Sequence, residues 1–254
     1  MATRLLNVPG TNVRAYVDAD ELALKAAHYF ARLADQYVVG DGLFTVALSG
    51  GSTPKAMYKL LAQEPFLSTV PWSDIHFFWS DERCVPPDHP DSNYGLAHEL
   101  LLSKVPVKPE NIYRFNGEDE IPARAAEVYC LRLQKFFSAG PGSGRTITAP
   151  IAHLPRFDLV FLGMGADGHT ASLFPGTVAL AAREEAAVAN YVPHLDARRL
   201  TLTLAAINNA RNVTFLVSGA DKAETLRSVL NEPPHATPLP SQLIKPVNGT
   251  LLWL

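Results

Sequence analysis

Four short apolar runs in this chain each stop abruptly in a polar turn, and three of the turns carry glycine. Residues 43–48 run into Ser49-Gly-Gly-Ser-Thr-Pro54, and residues 75–79 into Ser80-Asp-Glu-Arg83. Residues 157–162 run into Gly163-Met-Gly-Ala-Asp-Gly-His169, and residues 213–217 into Ser218-Gly-Ala-Asp-Lys222. The intervening stretches have helical spacing. Leu22, Ala26, Phe30, Leu33 and Tyr37 recur on one face, with Asp18 or Asp20 as a cap and Gly40 as a stop. Further helices are predicted over 93–102, 123–137 and 221–230, and short strands before the first helix and at 251–254. Residues 138–150 and 231–246 read as loops. Residues 199–204 alternate, with Leu200, Leu202 and Leu204 on one face and Arg199, Thr201 and Thr203 on the other. Strands alternating with helices build an α/β domain around a mostly parallel sheet. Ligands of such sheets bind beyond the carboxyl ends of the strands, so the four turns are expected to meet at one crevice.

The 254 residues, 47% of them hydrophobic, are enough for the core of a single α/β domain over residues 1–254. A net charge of −3 and a pI near 6.2 give no electrostatic footprint for nucleic acid or an anionic membrane. No run reaches the length of a membrane span, and the first ten residues are too short an apolar stretch for a signal peptide. Cys84 and Cys130 are too few for a disulfide framework and argue for a reducing compartment. The expectation is a cytoplasmic protein, a monomer or weak homo-oligomer, whose partner is a small molecule.

Asp167 and His169 lie two residues apart on backbone that glycines leave free to fold tightly. A carboxylate that orients an imidazole at a strand end is a common way to build acid–base chemistry. The same turn spells G-x-G-x-x-G at Gly163, Gly165 and Gly168, the dinucleotide fingerprint. That reading needs a helix starting at the third glycine and an acidic residue after the next strand. Instead Pro175-Gly176 breaks the chain within two turns, and Glu184 and Glu185 fall in an alanine-rich stretch. The fingerprint is therefore rejected.

The 49–54 turn offers backbone N–H groups at Gly50 and Gly51, capping hydroxyls at Ser52 or Thr53, and Pro54 at a helix start. It is either a structural turn or an anion site, most naturally for phosphate. Walker A spacing is absent, and Ala47 removes the G-x-S-x-G elbow around Ser49. Asp81, Glu82 and Arg83 form a solvated strand end, or a cluster over which the proline-rich 86–90 loop folds Arg83 towards the crevice. His89 in that loop reads as a surface residue. Lys222 in the first turn of a helix opposes the macrodipole, a conflict that a bound anion would relieve. Arg199 is either a surface residue or a cation aimed at the same anion. No H-E-x-x-H or cysteine/histidine ligand spacing occurs, so no metal ligands are assigned.

Residues 47–54 (A-L-S-G-G-S-T-P), 80–86 (S-D-E-R-C-V-P), 91–95 (D-S-N-Y-G) and 163–175 (G-M-G-A-D-G-H-T-A-S-L-F-P) together resemble the 6-phosphogluconolactonases of the glucosamine-6-phosphate isomerase/6-phosphogluconolactonase family. Residues 199–203 (R-L-T-L-T) and 218–222 (S-G-A-D-K) extend the resemblance over nearly the whole chain. It implies a modified Rossmann-like fold, a mostly parallel sheet with helices on both faces and a small additional α/β portion. It also implies hydrolysis of 6-phosphoglucono-δ-lactone to 6-phosphogluconate without metal or organic cofactor. His169 would activate water and Asp167 would orient it. Arg83 would bind phosphate or stabilise the oxyanion, and Asp81 would contact sugar hydroxyls or fix its loop. Ser49, Gly50, Gly51, Ser52 and Thr53 would hold phosphate, with Arg199 and Lys222 closing on it. Where lactonases often have K-P-P-x-x-R, His194 stands in the lysine's place and Arg198 adds a second candidate beside Arg199. The related glucosamine-6-phosphate deaminases carry a glutamate that assists ring opening; Phe174 stands there instead, which favours ester hydrolysis. Deamination of an amino-sugar phosphate, or silent binding of a sugar phosphate, are the competing functions.

Overall fold

The computed structural model describes residues 4–8, 11–143, 151, 153–231 and 237–254. Among them the chain runs β1 (Arg4–Val8), β2 (Thr11–Ala15), α1 (Ala19–Asp41), β3 (Phe44–Leu48), α2 (Ser52–Leu61), α3 (Phe66–Thr69), β4 (Ile75–Trp79), β5 (Asp81–Arg83), α4 (Asn93–Ala97) and α5 (Pro122–Ala139). It continues through β6 (Leu159–Leu162), β7 (Ala187–Val192), β8 (Ala197–Leu202), α6 (Leu204–Asn208), β9 (Asn212–Phe215), α7 (Ala223–Asn231) and β10 (Thr250–Trp253).

Seven strands form one sheet in the order β1-β2-β10-β9-β6-β3-β4. Every neighbouring pair is parallel except β1 with β2. All residues of β3, β4, β6 and β9 are buried. Successive side chains of a strand point to opposite faces, so both faces of the central sheet are covered, as parallel sheets require. From β3 the chain moves outward to β4, then returns across β3 to β6. The strand order therefore reverses between β3 and β6, where such sheets open a crevice at their carboxyl ends.

Beyond Trp79 the chain leaves the first sheet for a second, antiparallel one, β5-β8-β7, against which α5 packs. Ser80 is the joint. Its N–H donates to Leu48 O of β3 at 2.8 Å, and its carbonyl accepts from Leu202 of β8 at 2.7 Å. This smaller layer is the additional α/β portion.

Local signals decide most element ends. The Asp18 carboxylate caps α1 by accepting from Glu21 N at 2.8 Å. The helix runs through Gly40 and stops at Gly42, whose φ of 78° suits glycine. The 93–102 helix begins at Ser92, which accepts from Gly95 N, and continues past α4 as a π-helical turn, His98–Leu102. Residues 199–204 depart from the expected half-exposed strand. Thr201 and Thr203 are as buried as Leu200 and Leu202. Leu204 opens α6, because the Thr203 hydroxyl caps that helix at Ala206 N. Lys222 ends a 3-10 turn, Ala220–Lys222, ahead of α7 rather than lying in the helix. Of the expected loops, residues 144–150 and 232–236 lie outside the described residues. No described helix is long and apolar enough to cross a membrane.

Candidate active site

At the reversal between β3 and β6, a cavity of about 180 Å³ is lined by Ser49, Gly50, Gly51, Asp81, Arg83, Asn93, Gly163, Met164, Gly165, His169 and Ala171. Three of the four polar turns meet there. The turn after β6 closes on itself: Gly165 N donates to His169 O at 2.9 Å and Gly168 N to Gly165 O at 3.0 Å, with Gly168 at φ 77°. Asp167 Oδ1 accepts from the His169 backbone N–H at 3.1 Å and lies 2.5 Å from His169 Nδ1. Nδ1 therefore carries a proton, and Nε2 has no hydrogen-bond partner among the described residues. Gly165 makes the pairing possible. A Cβ there would stand 2.2 Å from the imidazole and 2.7 Å from Asp167 Oδ1. Phe174, 4% exposed, stacks on His169 with centroids 4.0 Å apart and planes 23° apart. Burial works to raise the Asp167 pKa, but the His169 charge and its ring and backbone hydrogen bonds outweigh it. The net shift is downward, which keeps Asp167 a carboxylate.

The turn after β3 starts α2 with Gly51 as the N-cap, not with Ser52 or Thr53. Gly51 has φ 104° and no side chain to cap with, so the first N–H groups of α2 have no side-chain cap. Ser52 is exposed, Thr53 is buried in the first turn, and Pro54 is the third helical residue. The Ser49 hydroxyl is committed inward, donating to Phe161 O at 2.6 Å and meeting Ser80 Oγ at 2.8 Å. Tyr58 OH holds the Ser49 carbonyl at 2.6 Å.

The turn after β4 carries three charged residues with different duties. Asp81 is 7% exposed, and both its oxygens are occupied: Oδ1 accepts from Asn93 Nδ2 at 3.1 Å and Oδ2 from Ser172 Oγ at 2.7 Å. Glu82, 2% exposed, turns away from the cavity and accepts backbone N–H groups of Arg83, Asn93 and Tyr94 and the Ser92 hydroxyl. Burial raises its pKa against the pull of those bonds. Arg83 lines the cavity and donates to Asp91 O at 2.5 Å. It lies opposite Arg199 in the β5–β8 register. Burial, then the Arg83 charge, lowers the pKa of Arg199. An anion between the two guanidiniums would relieve that repulsion.

Several expected residues lie outside the cavity lining. Asp167 stands behind His169. Arg199 and Arg198 line a neighbouring cavity with Cys84. Lys222 pairs with Asp221 at 2.9 Å, and Thr225 of α7 ties that region to the turn after β6 through Ala166 O. His194 is exposed and meets the Phe174 ring edge-on at 5.4 Å. Asn93 was missed as a site residue. Its signal was the S-N-Y-G stretch at 92–95, where a capped helix start returns to a strand end. Both cysteines are free thiols. Among the described residues no cluster of three His, Cys, Asp or Glu side chains is arranged to hold a metal ion.

Residues 17–253 match the family of glucosamine-6-phosphate isomerases/6-phosphogluconolactonase. The chain belongs to this family. It is 40% identical over 243 residues to 6-phosphogluconolactonase of Nostoc sp., covering 95% of this chain and 94% of the relative. Against the Haemophilus influenzae 6-phosphogluconolactonase it is 35% identical over 231 residues, covering 90% and 92%. The solved structure of 6-phosphogluconolactonase from Trypanosoma brucei superposes with a TM-score of 0.82 at 28% identity, covering 98% of this chain and 96% of that one. Within the glucosamine-6-phosphate isomerase/6-phosphogluconolactonase family, then, this member presents an imidazole with one nitrogen unpaired among the described residues, beside a helix start without a side-chain cap and an arginine.

Proposed function

We propose that this protein is a 6-phosphogluconolactonase, hydrolysing 6-phospho-D-glucono-1,5-lactone to 6-phospho-D-gluconate with His169 as the base that activates water. The observation that carries the reading is the Asp167–His169 pair, which leaves Nε2 unpaired in a cavity shared with the α2 N-terminus and Arg83. The relatives' names supply the substrate class.

The substrate phosphate sits at the start of α2, where uncapped N–H groups and the positive end of the helix dipole favour an anion. Arg83 brings a positive charge to the same cavity, and Arg199 lies across from it. With the phosphate held, His169 Nε2 takes a proton from water as the water oxygen attacks C1. The lactone carbonyl becomes a tetrahedral oxyanion. On its collapse the C1–ring oxygen bond breaks, and Nε2–H returns the proton to the ring oxygen, leaving a hydroxyl and a carboxyl group. Asp167 holds the imidazole with Nδ1 protonated and stabilises the transient imidazolium. No step calls for a metal or organic cofactor. Asp81, with both oxygens engaged, fixes the loop rather than acting as a base. Phe174 supports lactone hydrolysis over deamination, because an apolar ring covers His169 where a ring-opening carboxylate would be needed.

The test supplies purified protein with 6-phosphogluconolactone and, separately, with glucosamine 6-phosphate. Lactone opening faster than the spontaneous background is expected. Ammonia release from the second substrate would overturn the reading in favour of a deaminase, and inertness towards both would leave a silent binder.

A further inference from the structure

We propose that Asn93 reads a substrate hydroxyl through its amide oxygen and so helps determine which sugar lactones this cavity accepts; the inference rests on the lactonase reading above. Asn93 is the first residue of α4, locked in place by two buried carboxylates. Its backbone N–H donates to Glu82 Oε1 at 2.7 Å. Its Nδ2 donates to Asp81 O at 3.0 Å and to Asp81 Oδ1 at 3.1 Å. Both partners of Nδ2 are acceptors only, so the amide has one orientation: reversing it would set oxygen against oxygen.

That orientation leaves Oδ1 on the other arm, against Gly50. A Cβ at residue 50 would lie 1.9 Å from Oδ1 and 2.6 Å from Cγ, so the oxygen occupies the space that glycine leaves open. Oδ1 accepts no hydrogen bond from any described residue. It is also absent from the fully buried atoms that lack a partner, although Asn93 as a whole is only 3% exposed. The oxygen therefore keeps its contact with solvent, and the space that Asn93 lines is the cavity that also holds His169.

A neutral acceptor repels phosphate and suits an O–H donor. A sugar lactone carries such donors on C2, C3 and C4. The nearby carboxylate of Asp81 is engaged at both oxygens, by Asn93 and by Ser172. Asn93 Oδ1 is thus the uncommitted acceptor that this wall offers to a hydroxyl, held in position before the substrate arrives.

The experiment measures kcat/KM on 6-phosphogluconolactone and on its 2-, 3- and 4-deoxy analogues, for the wild type and for Asn93→Ala. For the wild type, removing one particular hydroxyl should cost about tenfold, the scale of a single neutral hydrogen bond. Asn93→Ala should lower kcat/KM on the parent lactone by a similar factor and abolish the penalty for that one analogue. The proposal is overturned if Asn93→Ala keeps every deoxy penalty of the wild type. Should Asn93→Ala not fold, Asn93→Ser, whose shorter side chain still offers Asp81 a donor, takes its place. A wild type indifferent to the loss of each hydroxyl overturns the proposal with no variant at all. Failure of the lactonase reading is a separate result, visible beforehand as no acceleration of parent lactone opening.

Discussion

At the scale of single residues, the proposed chemistry depends on one glycine as much as on the carboxylate and imidazole. Gly165 clears the space in which Asp167 and His169 pair. Gly165→Ala should push the pair apart and lower kcat by about tenfold or more while changing KM by less than about threefold, since the proposed phosphate site lies elsewhere. Steady-state kinetics checks this split, and an equal effect on both constants would count against it. Asp167→Asn keeps the shape and removes the charge. An amide can donate to Nδ1 where the carboxylate only accepts, and so can turn the ring's proton onto Nε2. kcat should fall by about ten- to a thousandfold. A kcat near the wild-type value would contradict the orientation proposed for the pair. Because the pKa of Asp167 is itself shifted down, the wild-type residue carries the charge that the variant lacks.

At the scale of elements, the site is held by a strand end that caps a helix 10 residues further on. Glu82 collects the first N–H groups of α4 and its cap residue, which brings Asn93 back to the cavity rim. Burial raises the pKa of Glu82, so ionisation itself opposes folding as pH rises from the ordinary glutamate range to the higher folded value. Removing the side chain is worse, because it orphans three N–H donors. Glu82→Ala should cost about 3 kcal/mol, or roughly 6–12 °C in Tm. A melting temperature within two degrees of the wild type would remove the cap. This device also marks where the sequence stops being legible. The strand-end turns could be read because apolar runs give way to glycine and hydroxyl residues within one or two positions. So could the Asp18 cap and the Asp167–His169 pair, which are local. The return of Asn93 across a proline-rich loop and the burial of Thr201 and Thr203 against neighbouring elements depend on contacts that no local pattern carries. Gly42 rather than Gly40 ends α1 because the left-handed turn falls there, a choice of one residue that spacing does not make.

At the scale of the whole molecule, the cavity draws its walls from two sheets. β3 and β6 belong to the parallel sheet, and Asp81 and Arg83 to the antiparallel one, with Ser80 joining them. A ligand seated there ties the two layers together. 6-Phosphogluconate at a hundred times its Kd should raise stability by about 2.7 kcal/mol, seen as an upward shift in Tm. Arg83→Ala should shrink that shift, and an unchanged shift would place the anion elsewhere. The account as a whole stands on His169 as the base for water. Its most direct test is the initial rate of 6-phosphogluconolactone opening by the wild type and by His169→Ala, with the product-induced Tm shift measured on both. The expected result is a rate lowered by about 10²- to 10⁴-fold with the Tm shift retained. A His169→Ala variant that opens the lactone at near wild-type rate would contradict it.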